Sequence, residues 1–468
     1  MQKRVLGNFG SPGGNIGPGF IVGASLSTTR YNADTTLPGG LPGIPKEFVN
    51  RVHGFLRDPE IDRNFVEVAN IASYVGMKMI REAGVEPVLS AYASDPIIEN
   101  DLVRGLFVEG KSGRVAIRAR VVIDATGDAD IAARAGVPVM NVIPSDPSYA
   151  SLIGHSLKQD TWPWNTADYS LYNEGEIMFA IGGVDFDRYK QFIYADDPTG
   201  TGFGVPLNED DKAWASENLW GLNVQAFPYA LVPAFRKEWE AGGFRPVRVI
   251  EPGLWIMSCG KMLFYDGSGV VCSRAAGVAG RFHSGDMAQV SRVEAELRVQ
   301  AFETVQFLRT HAPGFENAYI IFMSPFLGTR GGPCVEGEHV LTPDEGFSGA
   351  KFDDTLFLNT TAAEPKWGGE PSGFDTPYRI LLPKGLDGLL VTGTGASYIR
   401  RGHDPSAFRR RTALMVLGQA TGTAGALAVR EGTTPKNLDI KVLQRQLVED
   451  GIYLGDEDRL RELGLGIR

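Results

Sequence analysis

Residues Arg120 to Gly136 read R-V-V-I-D-A-T-G-D-A-D-I-A-A-R-A-G. Val121-Val122-Ile123 is a short apolar run of the kind that fills a strand buried on both faces. It breaks at once into Asp124-Ala125-Thr126-Gly127-Asp128, a polar turn. From Ala129 to Ala135 small and apolar residues return at helical spacing, which predicts a strand-turn-helix junction with Asp128 or Asp130 capping the helix. Ligands of open α/β sheets bind at such carboxyl edges. A junction that binds nothing has the same local pattern.

Composition bounds the rest. A chain of 468 residues suggests two or three domains, and 43% hydrophobic with 22% charged residues is ordinary globular usage. The formal net charge of -10 argues against nucleic acid or an anionic membrane as partner. The three cysteines, Cys259, Cys272 and Cys334, show no metal-ligand spacing, and their odd count fits a reducing compartment. No apolar run is read as long enough to span a membrane, and Met1-Gln2-Lys3-Arg4 lacks a signal-peptide core. A cytoplasmic location is the expectation.

Along the chain, the glycines from Gly7 to Gly23 suit a loop whose amides face a ligand. A dinucleotide fingerprint needs an apolar strand before its glycines and a helix after them, and neither is read there. Residues 45 to 84 have a helical pattern, with Ile61, Phe65, Val68, Ile71, Val75, Met79 and Ile80 on one face. From Val85 to Ile123 short apolar runs with turn signals predict an antiparallel meander that feeds the strand at 121. Trp162, Trp164, Trp214, Trp220, Trp239 and Trp255 fall in the middle, where core packing explains scattered aromatics better than a pocket does. Val290 to Phe307 predicts an amphipathic helix carrying Ala295, Leu297, Val299, Phe302, Val305 and Phe307. His155, His283 and His311 have no partner at ligand spacing.

Several blocks, in this order, carry a resemblance. They are Asp58-Pro59-Glu60, Glu82-Ala83-Gly84-Val85, Lys111-Ser112-Gly113-Arg114, the run from Val122 to Asp128, and Ala135-Gly136-Val137-Pro138. Further on come Pro313-Gly314-Phe315-Glu316-Asn317-Ala318, Gly328-Thr329-Arg330, Gly337-Glu338-His339-Val340-Leu341-Thr342, the block Gly388 to Gly393, and Gly418 to Gly425. Together they resemble FAD-dependent oxidoreductases related to fumarate-reductase and glutathione-reductase flavoproteins. The resemblance implies an α/β fold: a Rossmann-like three-layer FAD-binding domain, its first βαβ unit incomplete, with an inserted α+β cap. Residues 1–140 and 331–450 would form the FAD-binding domain and 141–330 the substrate cap, leaving 451–468 as a tail.

The same resemblance assigns the sites. Gly13, Gly14 and Asn15, the turn Ala125, Thr126, Gly127 and Asp128, the pair Gly393 and Thr394, and the helix pair Gly418 and Gln419 are expected to hold FAD. Arg330, His403 and Arg409 are expected near the flavin ring, with Arg409 in the place of a family arginine. Arginine suits an anionic substrate through its bidentate fork, and histidine passes protons near neutral pH. The implied activity is hydride transfer between a small organic substrate and flavin, with an electron acceptor that the sequence does not identify. By the same resemblance Gly7 stands about where the family carries its ribose-binding acid, which leaves open a late start codon, a gene fragment, or a homo-oligomer or second chain that completes the FAD site. Two other readings compete: a flavin-free scaffold of the same fold, and a hydrolase using Asp124 and Asp128.

Overall fold

The computed structural model describes residues 3–8, 13–16, 40–56, 65–140, 172–199, 204–219, 228–251, 254–257, 263–265, 271–281, 283–329, 332–359, 373–399, 408 and 411–466. Two parallel strand pairs define the α/β part. Strand β1 (Lys3–Gly7) runs beside β2 (Val85–Leu89), in register from Lys3 with Val85 to Gly7 with Leu89. Between them in sequence lie helices α1 (Gly43–His53) and α2 (Phe65–Glu82). Val88-Leu89 therefore belongs to a parallel pair and not to the meander. The meander itself is β3 (Tyr92–Glu99), β4 (Leu102–Gly110) and β5 (Gly113–Arg118), antiparallel throughout.

The second parallel pair is the one the opening stretch predicts. Strand β6 (Val122–Asp124) leads into the five-residue helix α3 (Asp130–Arg134) and then β7 (Val139–Met140). Beyond β7 lies a seven-stranded antiparallel sheet. Its main path is β13 (Tyr319–Met323), β8 (Tyr172–Gly182), β12 (Val271–Arg281), β10 (Leu254–Met257) and β9 (Val247–Glu251). Two short strands flank that path: β11 (Leu263–Tyr265) pairs with β12, and β14 (Gly328–Thr329) pairs with β8.

Helices α4 (Phe186–Tyr194), α5 (Glu209–Asn218), α6 (Val232–Glu240) and α7 (Met287–His311) gather on this sheet. Its alternation sends Ile177, Phe179 and Ile181 into their shared core, while Met178 and Ala180 pack against α1 and α2 on the other face. One sheet thus serves two cores.

The C-terminal part returns to the first. It contains β15 (Cys334–Val335), α8 (Pro343–Ser348), β16 (Thr355–Asn359), β17 (Phe374–Pro377), β18 (Leu389–Val391), α9 (Arg411–Arg430), α10 (Ile440–Glu449) and α11 (Glu457–Glu462). β15 pairs with β7, and β18 lies parallel to β6 with Val391 beside Asp124. The 20-residue α9 is apolar and long enough to cross a membrane, contrary to the expectation, but 61% of its 18-residue apolar window is buried inside the protein, as in a core helix. Its bare face also divides: Gly425 comes within contact of Val121 and Ile123, whereas Gly418 and Gly422 face open space.

Two other expectations change. Ile123 is 40% exposed between buried Val122 and Asp124, so β6 is not covered on both faces. The buried stripe of α7 keeps Leu297, Val305 and Phe307 of the predicted apolar set, but Val299 and Phe302 point outward, while Gln300 and Thr304 are fully buried. Gln300 is accommodated because its amide donates to the Arg245 carbonyl at 2.8 Å and its Oε1 accepts from Arg248 at 3.1 Å. Trp214 and Trp239 meet edge to face at 5.8 Å against the core, as packing residues do. Trp162, Trp164, Trp220 and His155 lie outside the described residues.

Candidate functional site

At the carboxyl edge of the β6–β18 pair two turns stand side by side. The first, Ala125 to Asp128, follows β6; the second, Gly393–Gly395, follows β18 as a single 3-10 turn. The Thr394 hydroxyl donates to the Gly127 carbonyl at 2.7 Å, which fixes one turn against the other. Gly127 has φ +92°, a left-handed value that penalises any side chain, and Gly393 has φ +72° with open space where a Cβ would point.

Asp124 holds the first turn from below. One carboxylate oxygen accepts from the Thr126 amide at 3.1 Å and its hydroxyl at 2.7 Å; the other accepts from the amides of Ile131 at 3.0 Å and Ala132 at 3.1 Å. Asp124 thus does the capping expected of Asp128 or Asp130, reaching the first helical amides from the end of the strand. The N-cap residue itself is Ala129, left-handed at φ 55° and without a capping side chain. With four bonds and 2% exposure, Asp124 has no capacity left for hydrolytic chemistry. The Asp128 carboxylate accepts from the Gly332 amide at 2.8 Å. Asp130 is pushed up to about 6, first by burial and then by the charges of Asp128 and Asp124, with Arg134 opposing.

Gly13 and Gly14 open a short 3-10 turn with φ 106° and 47°, and nothing lies near the Cβ position of Gly14. Asn15 shares that turn. Gly418 is exposed on α9, but the Gln419 side chain turns inward and accepts from the Ile44 amide at 3.0 Å, holding the start of α1. The described residues thus join Ala125, Thr126, Gly127 and Asp128 directly with Gly393 and Thr394. Arg330, His403 and Arg409 lie outside the described residues. An open hollow lined by Gly43, Lys46, Glu47, Asn50 and Arg51 includes none of the turn residues. Gly332 was missed by sequence reasoning; the signal available was its place in Gly331-Gly332-Pro333, a breaker cluster beside the Gly328 block.

Paired parallel strands that end in glycine turns at one sheet edge form the place where open α/β sheets bind their ligands. The chain belongs to the FAD dependent oxidoreductase family, whose model matches residues 19–447. FAD is accordingly its cofactor. No curated protein matches the chain. Among solved structures it is similar to the flavin-dependent brominase Bmp2 in triple-mutant form, at 10% identity and TM-score 0.30, covering 82% of this chain and 60% of that one. It is also similar to p-nitrophenol 4-monooxygenase from Pseudomonas putida, at 11% identity and TM-score 0.31, over 85% and 67% of the two chains. The myxobacterial chondrochloren halogenase is similar at 11% identity and TM-score 0.32, over 95% and 72%. The chain therefore spans about three fifths of the brominase's length, and likeness at these scores carries no statement about the reaction.

Proposed function

We propose that this chain is an FAD-dependent oxidoreductase that moves a hydride between a small organic substrate and the flavin. The observation that supports it most is the pair of glycine turns tied by Thr394 to Gly127. They fit a flat cofactor, because a Cβ at Gly127 would have only Thr394 Oγ1 near it, at 3.6 Å, and Gly393 has no neighbour there at all. Ala125, Thr126, Gly127, Gly393 and Thr394 would hold FAD by main-chain and hydroxyl groups, with Gly13 and Gly14 on the nucleotide side. FAD, when bound, supplies the two-electron chemistry, and the protein's part is to bind, orient and keep water away. By resemblance Arg330 and Arg409 orient an anionic substrate, and His403 carries a proton.

The reading includes a further strand, from a second copy or another chain, between β1 and β6. Two facts support it. Among the described residues β1 pairs only with β2, and β6 only with β18.

FAD titration by fluorescence quenching tests the function. The purified chain is expected to bind FAD in a defined ratio. Gly127→Val is expected to weaken that binding at least about tenfold while far-UV circular dichroism is unchanged. A chain that takes up no FAD, or a variant that binds as the parent does, overturns the reading.

A further inference from the structure

Gly332 occupies the stretch by which the chain leaves the seven-stranded sheet for the FAD-binding edge. Before it comes β14, in register with β8 through Gly328 beside Glu176 and Thr329 beside Gly175. After it comes β15, in register with β7, and the Cys334 thiol donates to the Tyr398 carbonyl at 3.2 Å. Between these anchors the Gly332 amide donates to Asp128 Oδ1 at 2.8 Å.

The fit around this residue leaves no slack. A Cβ at Gly332 would overlap Asp128 Cγ and Ser284 Oγ. Ser284 belongs to the turn that starts α7, and that turn is itself held. Asp286 accepts from the amides of Ala288 at 2.9 Å and Gln289 at 3.1 Å, and the His283 amide donates to Gln289 Oε1 at 2.9 Å. The crossover is therefore gripped from both sides, by the turn after β6 and by the first turn of the main helix on the large sheet. Asp128 directly follows Gly127, whose carbonyl receives the Thr394 hydroxyl.

We infer that Asp128 is a positioning residue, a latch that sets where the seven-stranded sheet stands relative to the cofactor turn. Its carboxylate acts through the Gly332 amide and not on the flavin. The inference rests on the flavoprotein reading for the identity of the turn, and on geometry alone for the latch. An asparagine at 128 keeps a carbonyl acceptor for that amide, whereas alanine removes it.

The test uses the full chain in three variants: Asp128→Asn, Asp128→Ala and Gly332→Ala. Without FAD, hydrogen exchange at the main-chain amide of residue 332 reports release of the crossover. Asp128→Ala is expected to speed that exchange about tenfold, the scale of losing one hydrogen bond to a charged group, while amides in the middle of the large sheet keep the parent's rates. Gly332→Ala is expected to do the same by displacement, and Asp128→Asn to stay within about twofold of the parent. With FAD at saturation, the visible circular dichroism of the bound flavin is expected to change in the alanine variants and not in Asp128→Asn. Parent-like exchange at residue 332 in Asp128→Ala overturns the latch. So does loss of FAD affinity in Asp128→Asn as large as in Asp128→Ala, since the charge would then be acting on the cofactor. Because the exchange arm needs no FAD, a chain that fails to bind flavin defeats the proposed function, while the exchange rates still decide for or against the latch.

Discussion

Three carboxylates crowd one turn, and each has a different task. Asp124 is saturated by four hydrogen bonds, Asp128 holds the crossover, and Asp130 bears the cost of standing beside both. Burial, with the two neighbouring charges, raises Asp130 from 3.8 to about 6. The folded protein therefore holds this proton more tightly than the unfolded chain does. The penalty for charging Asp130 is fully present above about 6 and disappears as pH falls towards 4. Asp130→Asn is expected to raise stability at pH 7 by roughly 1–2 kcal/mol, allowing for partial exposure, and to leave it unchanged near pH 4. Urea unfolding of both proteins across that range checks it; equal midpoints at pH 7 would remove the idea.

At the scale of elements, α3 has five residues and an alanine N-cap, too little to persist by propensity alone. It exists because the preceding strand ends in a carboxylate that reaches its first amides. Asp124→Ala should therefore act on the helix: about 2–4 kcal/mol of stability is lost because buried amides of Ile131 and Ala132 are left without acceptors. Hydrogen exchange at those two amides should rise with it. If they keep their protection, α3 is held by packing of Ile131 and Ala132 in the core. The supply of partners also explains α7, where two buried polar residues displace the expected Val299 and Phe302 because Gln300 finds both its partners on and near β9.

For the whole molecule, the last helix closes the C-terminal core. Asp375 is fully buried and meets Arg459 at 2.7 Å, the Phe352 amide at 2.9 Å and Lys351 at 3.4 Å. Arg459 also donates to the Phe352 carbonyl at 2.9 Å, while Leu460, Leu463 and Leu465 pack beneath it. Residues 451 to 466 are thus an integral closing piece and not a tail, with Leu454, Leu460, Leu463 and Leu465 in one cluster with α9 and α10. Arg459→Met is expected to cost about 3 kcal/mol, because it strands a buried carboxylate, and the double change with Asp375→Asn to recover much of that. Thermal or urea unfolding decides; additive losses in the double variant would show that the pair is not coupled.

What the sequence determined by itself was local. Val121 to Gly127 and Leu389 to Gly393 read as strands breaking into turns because three apolar residues followed by polar ones and glycine leave few other conformations. The meander, α7 and α9 follow from periodicity in the same way. The tertiary structure decided which side chains those elements commit to each other. Asp128 and Gly332 are 204 residues apart, and Gln419 and Ile44 are 375 apart. No periodicity carries such pairings, since each depends on where the return strands place a single amide. Nor does hydrophobicity reveal that Asp124 is the helix cap, that Gln300 is buried, or that Ile123 is left uncovered. Those outcomes depend on the supply of hydrogen-bond partners and covering surface in the assembled fold, which exists only once distant parts of the chain have met.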